Sequence, residues 1–188
     1  MTQIKETTKL WYHKYLYKAV IETDHAYAFS YINKSSHSSF NKEKRLLSLL
    51  GNREYMSRGE GRSLSIFTND AEIIEDLKQK WHKDLREIWR PPVHLKNKLT
   101  PGVIFVKTPR EFDIKVSFNS KKVLEGFKNW IDANPDKIVI GKGARWRLDR
   151  QYPMTGFYFY LKDEKVLSLV NLLISGNIKR VDRLVCAE

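Results

Sequence analysis

Cysteine is nearly absent from the chain, because Cys186 is the only one among its 188 residues. One cysteine cannot form an internal disulfide or a cysteine cluster for zinc, and such scarcity is typical of a reducing compartment. The sequence also lacks an apolar run of the roughly 18 residues that a membrane span needs. Glu6, Lys14 and Lys18 interrupt the region where a secretory signal would be apolar. We therefore expect a cytoplasmic protein that does not bind membranes.

Signatures of metal and cofactor sites are missing as well. The five histidines have no spacing that would place two of them on one helix or strand face as ligands. The glycine-bearing loop 141–147 lacks the glycine spacing, the Lys-Ser/Thr ending and the following helix of a phosphate-binding loop. The sequence therefore predicts neither a bound metal nor a cofactor.

Positive charge is abundant and evenly distributed. The formal net charge is +12, with 17 basic and 12 acidic residues over 1–96 and 17 basic and 10 acidic residues over 97–188. An excess shared by both halves indicates a folded surface that faces a polyanion, although solubility alone is the simpler explanation. Aromatic residues make up 12% of the chain. Because single-stranded nucleic acids are bound by cations and aromatic rings together, nucleic acid is the favoured partner.

An internal repeat organises the sequence. Residues 65–74 align with 158–167 at a constant offset of 93, and the apolar residues Leu77 and Ile88 then align with Val170 and Val181. The spacing predicts a strand, a helix and a second strand in each copy. Asp70 and Asp163 precede the helices, where a carboxylate can cap unpaired backbone amides.

Each half predicts the order β-α-β-β-α-β. Upstream strands over 17–21 and 114–118 precede helices over 41–50 and 121–133. This order indicates an α+β fold of duplicated ferredoxin-like (RRM-like) units, with antiparallel sheets and both helices on one face. The first unit covers 1–95 with an inserted loop at about 23–40, and the second covers 96–188. Residues 91–101 are interpreted as a linker between them.

Smaller elements complete this prediction. In the second unit, a long strand over 137–148 pairs with a hairpin partner over 156–161. Additional short strands are expected over 102–107 and, in the first unit, over 10–12.

Strand alternation assigns side chains to the two sheet faces. Leu64 and Ile66 are expected in the core, so the repeat places Phe157 and Phe159 in the core and leaves the tyrosines between them on the open face. On the strand over 137–148, the arginines alternate with Ala144, Trp146 and Leu148 and face the same open side. The first unit offers only Lys18, Ser63, Ser65 and Phe67 there. The predicted nucleic-acid-binding residues are Lys115, Lys142, Arg145, Arg147, Arg150, Tyr158 and Tyr160.

Residues 155–160, Thr-Gly-Phe-Tyr-Phe-Tyr, resemble the aromatic strand of RNA-recognition motifs. The resemblance implies an RNA-binding sheet in which Phe157 and Phe159 face the ligand. The repeat implies the opposite register, with Tyr158 and Tyr160 exposed. The two registers make different predictions about which rings are buried.

Other functions fit the same sequence. His25 and His37 lie in the inserted loop and could act as general base and general acid of a metal-independent endoribonuclease. Alternatively, the open sheet face could pack against the other unit or join copies of a noncatalytic homo-oligomer. The sequence leaves these alternatives open beside nucleic-acid binding.

Overall fold

The computed structural model describes residues 2–24, 41–121, 123 and 125–187. The fold is α+β and divides into two compact units, Met1–Pro101 and Gly102–Glu188, called unit 1 and unit 2 below. Within the described residues there are two five-stranded mixed sheets and five α-helices. Most of the inserted loop, including His25 and His37, lies outside the described residues, so their proposed catalytic role stays a prediction.

The described part of unit 1 contains five strands and two α-helices: β1 (Gln3–Glu6), β2 (Tyr17–Glu22), α1 (Asn41–Leu50), β3 (Tyr55–Glu60), β4 (Ser63–Thr68), α2 (Ala71–Lys80) and β5 (Leu85–Arg90). The strand order in the sheet is β1-β5-β2-β4-β3. The pairing between β1 and β5 is parallel, and the other three pairings are antiparallel.

Among its described residues, unit 2 has five strands and three α-helices: β6 (Val103–Val106), β7 (Ile114–Phe118), α3 (Glu125–Ala133), β8 (Ile138–Ile140), α4 (Lys142–Asp149), β9 (Tyr158–Leu161), α5 (Glu164–Ile174) and β10 (Ile178–Cys186). Its order is β6-β10-β7-β9-β8, with β6 parallel to β10. The two sheets therefore have the same strand order and the same parallel edge strand.

Each unit buries its own apolar core. In unit 1, Ala19 of β2 and Ile66 of β4 pack with Leu46 of α1 and Leu77 of α2, and none of these side chains is exposed. In unit 2, Phe118, Phe127 and Phe159 contact one another with ring centroids 4.8 to 6.3 Å apart. Successive side chains along a strand point to opposite faces of the sheet. Each strand that buries one set of side chains in the core therefore presents the other set on the opposite face.

The predicted helix caps are confirmed. The Asp70 carboxylate accepts a hydrogen bond of 2.8 Å from the Glu72 amide at the start of α2. The Asp163 carboxylate accepts one of 2.9 Å from the Val166 amide at the start of α5. Both aspartates therefore satisfy amides that the helices cannot pair internally.

The prediction of a strand over 137–148 is wrong beyond residue 140. Strand β8 ends at Ile140, and the glycine-bearing loop contains the start of α4. Ala144 and Leu148 are both buried in the core, and their spacing of four residues fits one face of a helix. Alternating apolar residues at 144, 146 and 148 satisfy both periodicities, and the exposure of Trp146 shows that the helical one applies.

Two further segments differ from the sequence prediction. The first strand of unit 1 is β1 and does not include residues 10–12, where Trp11 forms only an isolated bridge with Tyr15. The segment interpreted as a linker carries a short 3₁₀ helix, Val93–Leu95, and its residues Leu95 and Leu99 are buried. Across the described part of the chain, no helix has the length and apolar character needed to cross a membrane.

Candidate functional site

Strand β9 places its residues alternately on the two faces of the unit 2 sheet. Phe159 is completely buried in the core, whereas Tyr158 on the opposite face is 43% exposed and Tyr160 is half-buried. This is the register that the repeat predicts, and it is the reverse of the one implied by the RNA-recognition-motif resemblance. Two tyrosine rings are therefore presented side by side, with centroids 5.5 Å apart in an edge-to-face arrangement.

Lys115 lies against this pair. Strand register places Lys115 opposite Tyr160, and the Lys115 Nζ atom is 4.0 Å from the centroid of the Tyr158 ring. A cation at this distance over an aromatic face is held by the ring quadrupole. The contact therefore fixes a positive charge beside two flat rings.

A shallow pocket of about 300 Å³ lies beside Tyr158, and Lys115, Ser117 and Arg180 are among its lining residues. Sequence reasoning missed Ser117 and Arg180. Alternation along β10 could have identified Arg180, because Val181 packs against the core and its neighbours therefore point to the other face. These five residues, Lys115, Ser117, Tyr158, Tyr160 and Arg180, are called the tyrosine face below.

Asp182 orients the arginine of the tyrosine face. Its carboxylate is buried and accepts a hydrogen bond of 2.8 Å from the Arg180 Nε atom. It is also the register partner of Lys115 on the adjacent strand. The buried carboxylate therefore holds the Arg180 guanidinium by an ion pair, with Lys115 at the neighbouring register position.

The surroundings of Tyr160 favour its neutral phenol. Burial, reinforced by neighbouring Tyr158, raises the pKa of Tyr160, and the charge of Arg110 opposes this rise. Arg110 itself is exposed, so it adds another cation near the rings. The tyrosine face therefore combines uncharged aromatic surface with a basic surround.

The four basic residues predicted at 142–150 are not part of this face, because their helix packs against the opposite side of the sheet through Ala144 and Leu148. The Arg145 guanidinium forms ion pairs with Asp132 and Asp149 and is thereby neutralised. Arg147 donates a hydrogen bond of 2.9 Å to the Pro153 carbonyl. Lys142 and Arg150 are exposed on α4 and just after it. The predicted site is thus divided between two surfaces of unit 2.

The equivalent face of unit 1 is covered by its own chain. Lys18 pairs with Phe67 across β2 and β4, as Lys115 pairs with Tyr160 in unit 2. Trp11 and Tyr12 lie over Phe67, with ring centroids at 5.8 and 4.9 Å, and leave Phe67 only 3% exposed. The sequence does not predict that Trp11 and Tyr12 cover Phe67. Both residues belong to a turn, and the turn contacts the sheet only when unit 1 is folded.

The covering turn is held by several contacts at a cost in backbone strain. Tyr12 and His13 adopt left-handed φ angles of 52° and 59°, which are unfavourable for residues with a Cβ atom. The Trp11 amide donates to the Tyr15 carbonyl at 2.8 Å, and Arg58 Nη1 donates to the Tyr12 hydroxyl at 3.3 Å. Burial lowers the pKa of Lys18, whose Nζ atom lies 4.9 Å from the Trp11 ring. Unit 1 therefore closes the surface that unit 2 leaves open.

Among the described residues, no group of three or more His, Cys, Asp or Glu side chains is arranged to hold a metal ion. No protein-family model matches the chain, and neither does any curated protein or solved structure. The chemistry of the chain is therefore inferred from its own side chains.

Proposed function

We propose that the chain binds single-stranded nucleic acid through the tyrosine face of unit 2. The observation that carries the proposal is an exposed tyrosine pair with a lysine ammonium 4.0 Å from one ring. The corresponding ring in unit 1 is covered by Trp11 and Tyr12. A surface that one unit covers and the other leaves open is the better candidate for a ligand from outside the chain.

The chemistry of the tyrosine face suits unpaired bases. Each base has an aromatic face that can stack on tyrosine, and such stacking contributes about 1–3 kcal/mol per base. Lys115 and Arg180 line the pocket beside Tyr158 and would contact the phosphates that flank a stacked base. A duplex conceals the faces of its bases, so this arrangement favours single strands over duplex. The net charge of +12 adds long-range attraction to any polyanion.

We also propose that each unit is ferredoxin-like, with one parallel strand added to the β-α-β-β-α-β core. The strand orders β5-β2-β4-β3 and β10-β7-β9-β8 support this assignment, because each places the fourth strand of the repeat beside the first. The single cysteine supports a cytoplasmic location.

Fluorescence anisotropy with labelled single-stranded RNA and DNA and with duplexes, at two salt concentrations, tests the proposal. Tyr158→Ala should weaken single-strand binding by about 5- to 150-fold, which corresponds to one lost stacking contact. The matched control is Tyr12→Ala, since Tyr12 is 46% exposed in unit 1 and should leave affinity unchanged. Two results would contradict the proposal: a wild-type affinity that does not fall as salt is raised, or a Tyr158→Ala variant that binds single strands as tightly as wild type.

The same samples separate the alternative functions. RNA recovered after incubation should keep its length on a denaturing gel, and shortening abolished by His25→Ala or His37→Ala would favour the endoribonuclease. Light scattering over a range of protein concentrations tests the homo-oligomer. If the tyrosine face joined two copies, Tyr158→Ala would convert a dimer into a monomer, and bound nucleic acid would compete with dimerisation.

A further inference from the structure

Unit 2 carries an insertion that unit 1 lacks. In unit 1, β3 and β4 are joined by a tight turn, with Glu60 already paired with Ser63. In unit 2, helix α4 and the residues up to 157 separate β8 from β9. This insertion presents the rings of Trp146 and Tyr152, whose centroids lie 5.5 Å apart and which are 48% and 45% exposed.

Cations surround these exposed rings. The Arg150 guanidinium carbon lies 4.4 Å from the Trp146 ring centroid, and Lys142 is exposed on the same helix. Arg145 is neutralised by aspartates, but no ion pair with a carboxylate in the described part of the chain involves Lys142 or Arg150. Lys142, Trp146, Arg150 and Tyr152 are called the α4 surface. Its cations and rings are of the same kind as those of the tyrosine face.

Phe157 lies between helix α4 and the pocket of the tyrosine face. Arg147, next to Trp146, places its guanidinium carbon 5.0 Å from the Phe157 ring centroid. Phe157 packs so closely on the backbone of α4 that a Cβ added to Gly143 would lie 3.3 Å from its ring. Phe157 also lines the pocket beside Tyr158. Phe157 therefore contacts helix α4, which carries the α4 surface, and also lines the pocket of the tyrosine face.

We propose that the α4 surface is a second base-stacking site for the same single strand that the tyrosine face binds. A strand long enough to pass Phe157 then stacks bases on Tyr158 and on Trp146 or Tyr152, while a shorter strand reaches only the tyrosine face. This inference rests on the proposed function and extends it to a ligand of minimum length. Trp, Tyr and Arg also anchor protein partners, but exposed cations without carboxylate partners favour a polyanion here.

The test compares oligonucleotides of about four and about twelve nucleotides, two lengths within the range of about 4–16 nucleotides that single-strand sites cover. The double variant Trp146→Ala/Tyr152→Ala should bind the longer strand at least about 5-fold more weakly and the shorter one like wild type. The single variant Trp146→Phe keeps a stacking ring at 146 and the native Tyr152. It should bind the longer strand much more tightly than the double variant does. Circular dichroism of each variant verifies that unit 2 remains folded.

Two outcomes would overturn the inference: unchanged binding of the longer strand by the double variant, or equal losses for both lengths. Failure of the proposed function gives a different pattern. In that case Tyr158→Ala binds both lengths like wild type, whatever the double variant does. A folded double variant that loses affinity only for the longer strand, with Tyr158→Ala weakened at both lengths, supports two sites on one strand.

Discussion

Removing one ring from each face of β9 tests the register on which the site depends. Phe159→Ala deletes a completely buried ring whose centroid lies 4.8 Å from that of Phe118 and 5.6 Å from that of Phe127. Such a truncation costs about 3–5 kcal/mol of the free energy of unfolding. Tyr158→Ala removes an exposed ring with one cation–π contact and one edge-to-face contact, together about 1–2 kcal/mol.

The loss expected from Phe159→Ala is large relative to the free energy of unfolding of unit 2. A domain of roughly 90 residues is stable by about 4–13 kcal/mol, so Phe159→Ala removes a substantial part of the total. Native-state hydrogen exchange measured by mass spectrometry reports this loss for unit 2 alone. Amides of β7 and β9 should exchange about two to three and a half orders of magnitude faster in Phe159→Ala. Peptides from β2 and β4 of unit 1 serve as the internal reference.

The opposite ranking would refute the register. If Tyr158→Ala accelerated exchange more than Phe159→Ala, the tyrosines would form the core and the phenylalanines the outer face. The aromatic strand would then match the arrangement in RNA-recognition motifs, and Tyr158 could not stack on a ligand.

Two further predictions concern unit 1. Trp11→Ala should lower the free energy of unfolding of unit 1 by about 2 kcal/mol, because the ring contacts with Phe67 and Trp89 are lost. The variant should also bind more of a hydrophobic dye. Unchanged stability and dye binding would show that the Trp11 cover contributes nothing. Hydrogen bonds from Lys5 and Trp89 outweigh burial and lower the pKa of Glu87 from 4.5. This stabilisation is complete above about pH 4.5 and is lost as pH falls through the lower folded-state pKa. Urea titrations should therefore show a shallower acid dependence for Glu87→Gln, and an unchanged slope would contradict this.

Much of the fold could be predicted because the repeat supplied two independent observations of each element. Alternation over β2 and β4 agreed with alternation over β7 and β9, so the core side of Phe159 followed from that of Ile66. Helix α4 could not be recognised in this way, because a tight turn joins β3 and β4 of unit 1 at the equivalent place. Its apolar residues are spaced by two and by four, which strands and helices accept equally.

The site was predicted in part for a related reason. Lys115, Tyr158 and Tyr160 follow from strand register alone, and the structure brings them together. The cover of unit 1 involves a strained turn, and β1 is a short polar edge strand without a hydrophobic pattern. Neither feature leaves a periodic signal, because both depend on contacts between segments far apart in the chain.

The parallel strand at the edge of each sheet favours one order of folding. Strand β1 is synthesised before the rest of unit 1, yet 82 residues separate Lys5 from its ion-pair partner Glu87 on β5. Such distant pairings are entropically costly until the intervening chain has folded. Because β1 lies at the edge of the sheet and pairs only with β5, the other four strands can pair without it, so we expect β1 to dock last. Until β1 docks, we expect the vacant edge of β5 to be able to accept β1 of another molecule, which would exchange strands between copies at high protein concentration.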